Sequence, residues 1–229
     1  MKKRRITKKC IYYQRNNDWI EYIMNKDLTS YLKFLMSLVV MGFGIALVTK
    51  SNLGTSAISS IPYVLSRVFN LTFGTFTLII NTLYFFIQLI VLRENFPRSQ
   101  YFQVVVGPIL GLFIDLSMFL LAGLKDMNYV SQLSVLLIGC VIIGYSIWLQ
   151  LSAKIVNNPT EGMVNLVAII SKKEFSRIKI LFDIFLVIIA AIISYTGLGK
   201  VVGIREGTVI SAFVVGYVIR GINYIEERR

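Results

Sequence analysis

Residues 129–153 read YVSQLSVLLIGCVIIGYSIWLQLSA, a stretch that contains no charged side chain. A helix of about 20 apolar residues crosses the roughly 30 Å hydrocarbon core of a lipid bilayer. The stretch therefore predicts a membrane-spanning helix, and five similar runs occur elsewhere in the chain. In order, the predicted spans are Tyr31 to Thr49, Leu71 to Leu92, Tyr101 to Leu124, Tyr129 to Ala153, Ile178 to Tyr195 and Gly207 to Ile225.

The composition of the 229-residue chain agrees with this interpretation. Hydrophobic residues make up 55% and charged residues 16%, against about 25% charged residues in a soluble domain. The chain has no histidine, which removes the commonest general base and the commonest transition-metal ligand. It also lacks the G-x-S-x-G and G-x-x-x-x-G-K-[ST] motifs of hydrolases and ATP-binding proteins. We therefore predict an all-α membrane protein that is not an enzyme and holds neither a metal nor another cofactor.

The basic residues indicate the orientation. If the N-terminus is cytoplasmic, all but five of the 24 Lys and Arg residues fall on the cytoplasmic side. The five exceptions are Lys50, Arg67, Lys125, Lys200 and Arg205. Because positive charge accumulates in cytoplasmic loops, both termini are expected in the cytoplasm. The basic extension over residues 1–30 is expected to bind anionic lipids of the inner leaflet, and no nucleic acid is expected as a partner.

Two further apolar segments are too short to span a bilayer. They cover Asn52 to Arg67 and Asn157 to Lys172, and each begins with Asn, a turn residue and a Thr before apolar residues at helical spacing. Each predicts a helix of about three turns with polar residues at its N-terminus. Such a helix either lies flat at the membrane interface or enters the membrane partway. In the flat arrangement, the side chains facing lipid would be Ile58, Ile61, Leu65, Met163, Val167 and Ile170.

The chain also carries a weak internal repeat. At an offset of 105 residues, Gly111 and Asp115 correspond to Gly216 and Arg220, and with a small shift Asn81 corresponds to Asp183. Residues 31–125 and 129–225 therefore form two predicted units, each with three spans and one short helix. Because three is an odd number, the second unit must be inverted in the membrane relative to the first.

Charged residues inside predicted spans are candidates for function because they cost about 2.5 to 3.5 kcal/mol at mid-helix. Asp115 shares a helix face with Gly107 and Gly111, and the repeat predicts that it pairs with Arg220 near the centre of the bundle. Alternatively, Arg220 extends to the cytoplasmic headgroups without a partner. Asp183 either forms a local ion pair with Lys179 or lines a solute path.

Asn81, the repeat counterpart of Asp183, belongs to the same predicted path. Together with Gln88, Asn81 is equally typical of helix-packing contacts. For Asn81 and Gln88, both a polar path and a packing contact are therefore compatible with the sequence.

The starts of the two short helices form a second kind of candidate site. Thr55 and Ser56 begin the first short helix, and Thr160 and Glu161 begin the second. If both helices enter the membrane, their N-termini meet near its midplane and hold an anionic group or, through Glu161, a cation.

A third candidate lies before the last span, in the segment Gly203 to Thr208. Its glycines and threonine are explained by a turn and a helix N-cap. Arg205 and Glu206 are not explained in that way, and an adjacent pair of opposite charges there is expected to act as a gate or a ligand contact.

The segments just described resemble those of the YczE/YyaS/YitT family of bacterial integral membrane proteins. The resemblance rests on residues 52–60 (NLGTSAISS), 62–66 (PYVLS), 111–116 (GLFIDL), 159–162 (PTEG) and 203–211 (GIREGTVIS). It covers nearly everything from Tyr31 to Ile225, with Ala57 in place of a proline expected in the family. The resemblance implies a bacterial cell-membrane protein and implies no particular activity.

Two functions follow as hypotheses. The first is a small secondary transporter or permease, in which two inverted units hold a polar site for a small solute between them. The second is a non-transporting membrane partner that assists another protein or pathway and docks through its basic extension. Either function is compatible with a homo-oligomer or with a separate protein partner.

Overall fold

The computed structural model describes residues 28–93, 96, 98–124, 127–153, 155–156, 158–173 and 175–226. These residues form helices and connecting turns, and no strand occurs among them. The helices are α1 (Leu28–Lys50), α2 (Ala57–Val68), α3 (Phe73–Leu92), α4 (Gln103–Leu120), α5 (Tyr129–Ala153), α6 (Pro159–Ser171), α7 (Phe175–Leu198) and α8 (Glu206–Glu226). Short 3-10 turns flank α4 at Arg98–Phe102 and Leu121–Gly123. The basic extension lies almost entirely outside the described residues.

Five helices are long and apolar enough to cross a membrane: α1, α3, α4 with its flanking turns, α5 and α7. Large apolar side chains such as Ile90, Phe119 and Ile180 are exposed on them, as expected for a surface that faces lipid. The predicted all-α membrane protein is therefore confirmed. The predicted sixth span is not confirmed, because the apolar part of α8 that is described covers only Glu206–Ile219.

The antiparallel helices α1 and α5 form the centre of the bundle and share its largest helix contact. Glycines allow their backbones to approach closely. A β-carbon at Gly44 would lie 3.1 Å from the amide nitrogen of Ile143, and one at Gly139 would lie 3.0 Å from that of Val48. Small residues at such positions are the usual basis of helix association in membranes. On either side of this pair, α4 packs against α1 and α8 packs against α5.

The short helices α2 and α6 both pack into the bundle, each against α3 and α7. The C-terminal end of α2 lies beside the C-terminal end of α7, because a β-carbon at Gly197 would contact Val68. By contrast, α6 packs through Val164 and Ala168 against Ile178 at the start of α7. The two short helices therefore occupy opposite ends of the same groove.

This packing corrects one part of the flat arrangement considered for the short helices. Ile61 does not face outward but is buried in a cluster with Val64, Leu186 and Ala190. Ile170, at the far end of α6, is exposed. Phe182 of α7 packs against the hydrophobic clusters of both short helices.

The contact pattern has one asymmetry. In the first half of the chain α4 packs extensively against α3, whereas α7 and α8 make no comparable contact. Gly111 of α4 touches α3 so closely that a β-carbon there would lie 2.6 Å from the carbonyl oxygen of Gly74. At Gly216 of α8, a β-carbon would meet no atom within 4 Å.

Candidate functional site

A chain of buried polar side chains runs through the junction of α3, α4 and the start of α6. We call it the amide seam, and each of its members is at most 7% exposed. The members are Asn81, Gln88, Gln100, Gln103, Asn158 and Thr160. So many buried amides in an apolar bundle are unusual, because an amide removed from water needs hydrogen-bond partners.

Hydrogen bonds connect most of the seam. The hydroxyl of Thr160 donates to Oδ1 of Asn81 at 3.3 Å, which joins α6 to α3. Nε2 of Gln88 donates to the carbonyl oxygen of Pro159 at 3.0 Å and to Oε1 of Gln103 at 3.3 Å. Nε2 of Gln103 also donates to Oε1 of Gln100 at 2.5 Å. The first turn of α6 is thus held by side chains of α3, and Gln103 of α4 bonds in turn to Gln88 of α3.

Two buried amides near the start of α6 have unused hydrogen-bonding capacity. Among the described residues, neither amide atom of Gln150 has a partner, and Oδ1 of Asn158 has none. Leaving a buried polar group without a partner costs about 1 to 3 kcal/mol. The only hydrogen bond of the Asn158 side chain that the structure shows runs from Nδ2 to Sδ of Met41, at 3.7 Å.

The packing of α1 against α5 places Gln150 near this amide. Because Gly139 faces Val48 and Gly44 faces Ile143, the antiparallel register puts Gln150 about one helical turn along α1 from Met41. The unpartnered groups of Gln150 and Asn158 therefore lie in one part of the bundle.

A charged cluster adjoins the seam on α7. Nζ of Lys179 donates to both carboxylate oxygens of Asp183, at 2.6 and 2.9 Å. The local ion pair that the spacing predicts for Asp183 is therefore present. Glu161, in the first turn of α6, is spaced to lie on the side of Val164 and Ala168 that packs against α7.

The ammonium group of Lys179 therefore interacts with two carboxyl groups, those of Asp183 and Glu161. Burial raises the pKa of Glu161. The ammonium group of Lys179 opposes this rise, and the carboxylate of Asp183 adds to it. Both effects follow from ordinary electrostatics, since a charged form is disfavoured by desolvation and by like charge and favoured by opposite charge.

The segment at Leu53 to Thr55 binds the segment Gly203 to Thr208 where the loop after α1 crosses the loop before α8. The backbone N–H and the hydroxyl of Thr55 both donate to the carbonyl oxygen of Gly203, at 2.9 and 3.0 Å. The N–H of Gly207 donates to the carbonyl oxygen of Leu53 at 2.8 Å. Gly54 has a φ of 130°, which glycine adopts readily. This loop crossing ties the two halves of the chain together.

Arg205 stabilises the loop crossing from its surface. Its Nη1 donates to the carbonyl oxygen of Asn52 at 3.0 Å, and its Nη2 contacts Oε1 of Glu206 at 3.2 Å. The role of this pair as a gate or a ligand contact stays a prediction. Ser56 lies beside the crossing and donates to the hydroxyl of Ser59 at 2.9 Å.

Asp115 has different surroundings from those that the repeat predicts. Its carboxylate accepts hydrogen bonds from the hydroxyl of Thr72 at 2.5 Å and from the N–H of Gly74 at 2.7 Å. It therefore caps the start of α3. The glycine faces that were expected to bring Asp115 and Arg220 together do not meet, because Gly111 packs on Gly74 and Gly216 faces open space. The side chain of Arg220 lies outside the described part of the chain.

The predicted site residues thus fall into three places. Asn81 and Thr160 meet in the amide seam, with Glu161 and Asp183 beside it. Thr55, Ser56, Arg205 and Glu206 lie at or next to the loop crossing, and Asp115 caps α3. The sequence analysis did not identify Gln103, Gln150 and Asn158 as site residues, although their position in or beside apolar runs was a usable signal.

The fold, with its five long apolar helices, defines a polytopic helical membrane protein. Residues 28–224 match the model of a family of unknown function, DUF6198, and the chain belongs to that family. The resemblance to YczE and YyaS is also confirmed by comparison with curated proteins.

Two Bacillus subtilis (strain 168) proteins are similar to the chain over most of their length. The uncharacterized protein YyaS is 25% identical over 180 residues, which cover 77% of this chain and 88% of YyaS. The uncharacterized membrane protein YczE is 24% identical over 188 residues, which cover 82% of each chain. No solved structure matches the chain.

Proposed function

We propose that the protein is a small secondary transporter that moves a polar solute without converting it chemically. The observation that carries this proposal is the amide seam, with the unpartnered amides of Gln150 and Asn158. A solute with hydrogen-bond donors and acceptors would satisfy these groups, and a buried polar group without a partner is costly. The solute would bind between the two halves of the chain, at the start of α6.

An inverted repeat is supported by the helix contacts. When α1 to α4 are exchanged with α5 to α8, nearly every contact has a counterpart. The contact of α1 with α4 corresponds to that of α5 with α8, and the contact of α2 with α7 corresponds to that of α6 with α3. Two inverted units of three spans each require that α8 is the sixth span.

The orientation is part of the same proposal. With the N-terminus in the cytoplasm, α1 ends at the outer face, and the loop crossing at Leu53 and Gly203 lies on that side. The second short helix α6 then enters from the cytoplasmic side, and its N-terminus lies inside the bundle at Asn81. A helix N-terminus inside a membrane presents unpaired N–H groups to a bound solute.

The transport hypothesis is tested by solute movement in sealed vesicles that contain the purified protein. An unbiased metabolite mixture is supplied under imposed ion gradients, and uptake and efflux are measured for wild type, Thr160→Val and Gln103→Leu. Because Thr160→Val removes one hydrogen bond and Gln103→Leu removes those to Gln88 and Gln100, we expect transport to fall at least about tenfold.

Gln132→Leu provides the matched control, since it makes the same chemical change at an amide bonded to Met127 at the other end of α5. We expect it to transport like wild type. If no solute moves with folded wild-type protein, the transport hypothesis is wrong.

One observation favours the alternative function of a non-transporting membrane partner. The amide seam is tightly packed at Gly162, where a β-carbon would lie 3.0 Å from Nε2 of Gln103. A partner protein would then be expected to bind the basic extension over residues 1–30. Loss of a copurifying protein on deletion of residues 2–27, together with absence of transport, would favour this function.

A further inference from the structure

The bundle has a recess at the end where α1 terminates, away from the amide seam. Two adjoining cavities of about 260 and 400 Å³ share the side chains of Lys50, Tyr63, Arg67 and Met118. They form one basin between the end of α1, the last turns of α2 and the end of α4. We call it the cationic basin.

The basin carries excess positive charge. Neither Lys50 nor Arg67 forms an ion pair with a carboxylate in the part of the chain that the structure describes. One carboxylate, Asp115, lines the larger cavity. Its two oxygens accept hydrogen bonds from Thr72 and from the N–H of Gly74, so it is held by the start of α3. The two cations are therefore only partly compensated.

Arg67 is held in position but keeps most of its donors. Its Nη2 donates to the hydroxyl of Tyr63 at 2.9 Å, and the guanidinium lies 5.0 Å from the centroid of the Tyr63 ring. The ring is fixed in turn by an edge contact with Phe73 at 5.5 Å. A guanidinium has five N–H donors in a planar fork, and this contact uses one of them. Such a preorganised fork suits a carboxylate or a phosphate.

Polar groups complete the basin beside the cations. Asn52 lines the smaller cavity, and its φ of 59° is a left-handed conformation that Asn tolerates. Its carbonyl oxygen is held by Arg205 at 3.0 Å, so its position is fixed by the loop crossing. The basin thus combines two cations, a phenol and an amide on three different segments of the chain.

We propose that the cationic basin binds a small oxyanion, either a carboxylate or a phosphate group, through Lys50 and Arg67. The anion is either a free solute or the phosphate of a lipid headgroup, and the same chemistry recognises both. This inference does not depend on the transport hypothesis, because binding can be measured whether or not any solute moves.

The test uses purified full-length protein in a maltoside detergent, which contains no phosphate. Inorganic phosphate is titrated at constant ionic strength against chloride, and binding is followed by phosphorus NMR line broadening. We expect saturable binding by wild type and at least about tenfold weaker binding by Lys50→Gln and by Arg67→Gln, because each loses a charge-assisted hydrogen bond. Lys200→Gln is the matched control, since Lys200 is an exposed lysine outside the basin, and it should bind like wild type.

The source of the anion is decided by adding phosphatidylglycerol to the micelles. Displacement of inorganic phosphate would identify a lipid headgroup as the ligand, and undisturbed phosphate binding would identify a free anion. Unfolding midpoints without phosphate show that the variants are folded. Absence of saturable binding, or equal binding by wild type and both basin variants, would overturn the proposal.

Discussion

The two helix pairs α3–α4 and α7–α8 occupy corresponding places in the two halves of the chain, but their packing differs. In the first pair, Gly111 lies against the backbone of Gly74, and Asp115 caps the start of α3. In the second pair, a β-carbon at the corresponding Gly216 would meet no atom within 4 Å. In this structure the first pair is therefore closed, whereas the second leaves a gap between its helices.

This difference suggests how an inverted repeat would work. In transporters of this kind, one unit rocks against the other around a central site. If the two halves exchange conformations, α8 closes on α7 through Gly216 in the second state, and α4 separates from α3.

The largest effect is expected from valine at the two corresponding glycines. Gly111→Val places a side chain against the carbonyl oxygen of Gly74, 2.6 Å from its β-carbon, and should lower the free energy of unfolding by about 3 kcal/mol. Gly216→Val meets no neighbouring atom and should change it by less than about 0.5 kcal/mol. Unfolding in mixed micelles with increasing dodecyl sulfate measures both. Equal destabilisation of the two variants would show that the α3–α4 and α7–α8 pairs do not differ in packing at these glycines.

A smaller effect is expected from removing the cap of α3. Asp115→Ala leaves the N–H of Gly74 without its acceptor, which should cost about 1 to 3 kcal/mol, whereas the exposed hydroxyl of Thr72 can still bond to that of Thr75. Asp115→Asn keeps one acceptor oxygen and should cost less. If alanine and asparagine variants unfold like wild type, Asp115 does not hold α3 against α4.

The smallest effect concerns Glu161, which lies in the second half of the chain and shares Lys179 with Asp183. Because its pKa is raised in the folded protein, the folded state binds more protons than the unfolded state between the unfolded and folded pKa values. Stability is therefore highest below this window and falls as the pH rises through the folded pKa. Glu161→Gln removes this dependence and should stabilise the protein at pH 8 relative to wild type, with a smaller difference at pH 5.

Thermal unfolding of both proteins at the two pH values provides the measurement. A variant that is less stable than wild type at pH 8 would show that the Glu161 carboxylate is stabilised by Lys179 more than it is penalised by burial.

The apolar spans could be predicted from sequence because hydrocarbon thickness fixes the length of a spanning helix. The two short helices were predicted for the same reason, since runs at Asn52 to Arg67 and Asn157 to Lys172 were too short to cross. Their observed bounds, Ala57–Val68 and Pro159–Ser171, lie close to those runs.

Helix partners could not be predicted in the same way. A glycine at Gly111 predicts close approach, but not whether α3 or α8 approaches it. The amide seam was also hidden, because Thr160 bonds to a residue 79 positions away and no local pattern specifies such a partner. The loop crossing joins Thr55 to Gly203 over 148 positions and could not be predicted from the sequence for the same reason.

The proposed transport function requires that the amide seam is reached alternately from the two sides of the membrane. The most direct test replaces Thr160 by cysteine in a Cys10→Ser background and treats sealed vesicles with a membrane-impermeant thiol reagent from each side. Native Cys140 is buried and serves as the unreactive internal control. The account predicts that the cysteine at position 160 is labelled from both sides and Cys140 from neither, whereas labelling from one side only, or from neither side, would contradict alternating access.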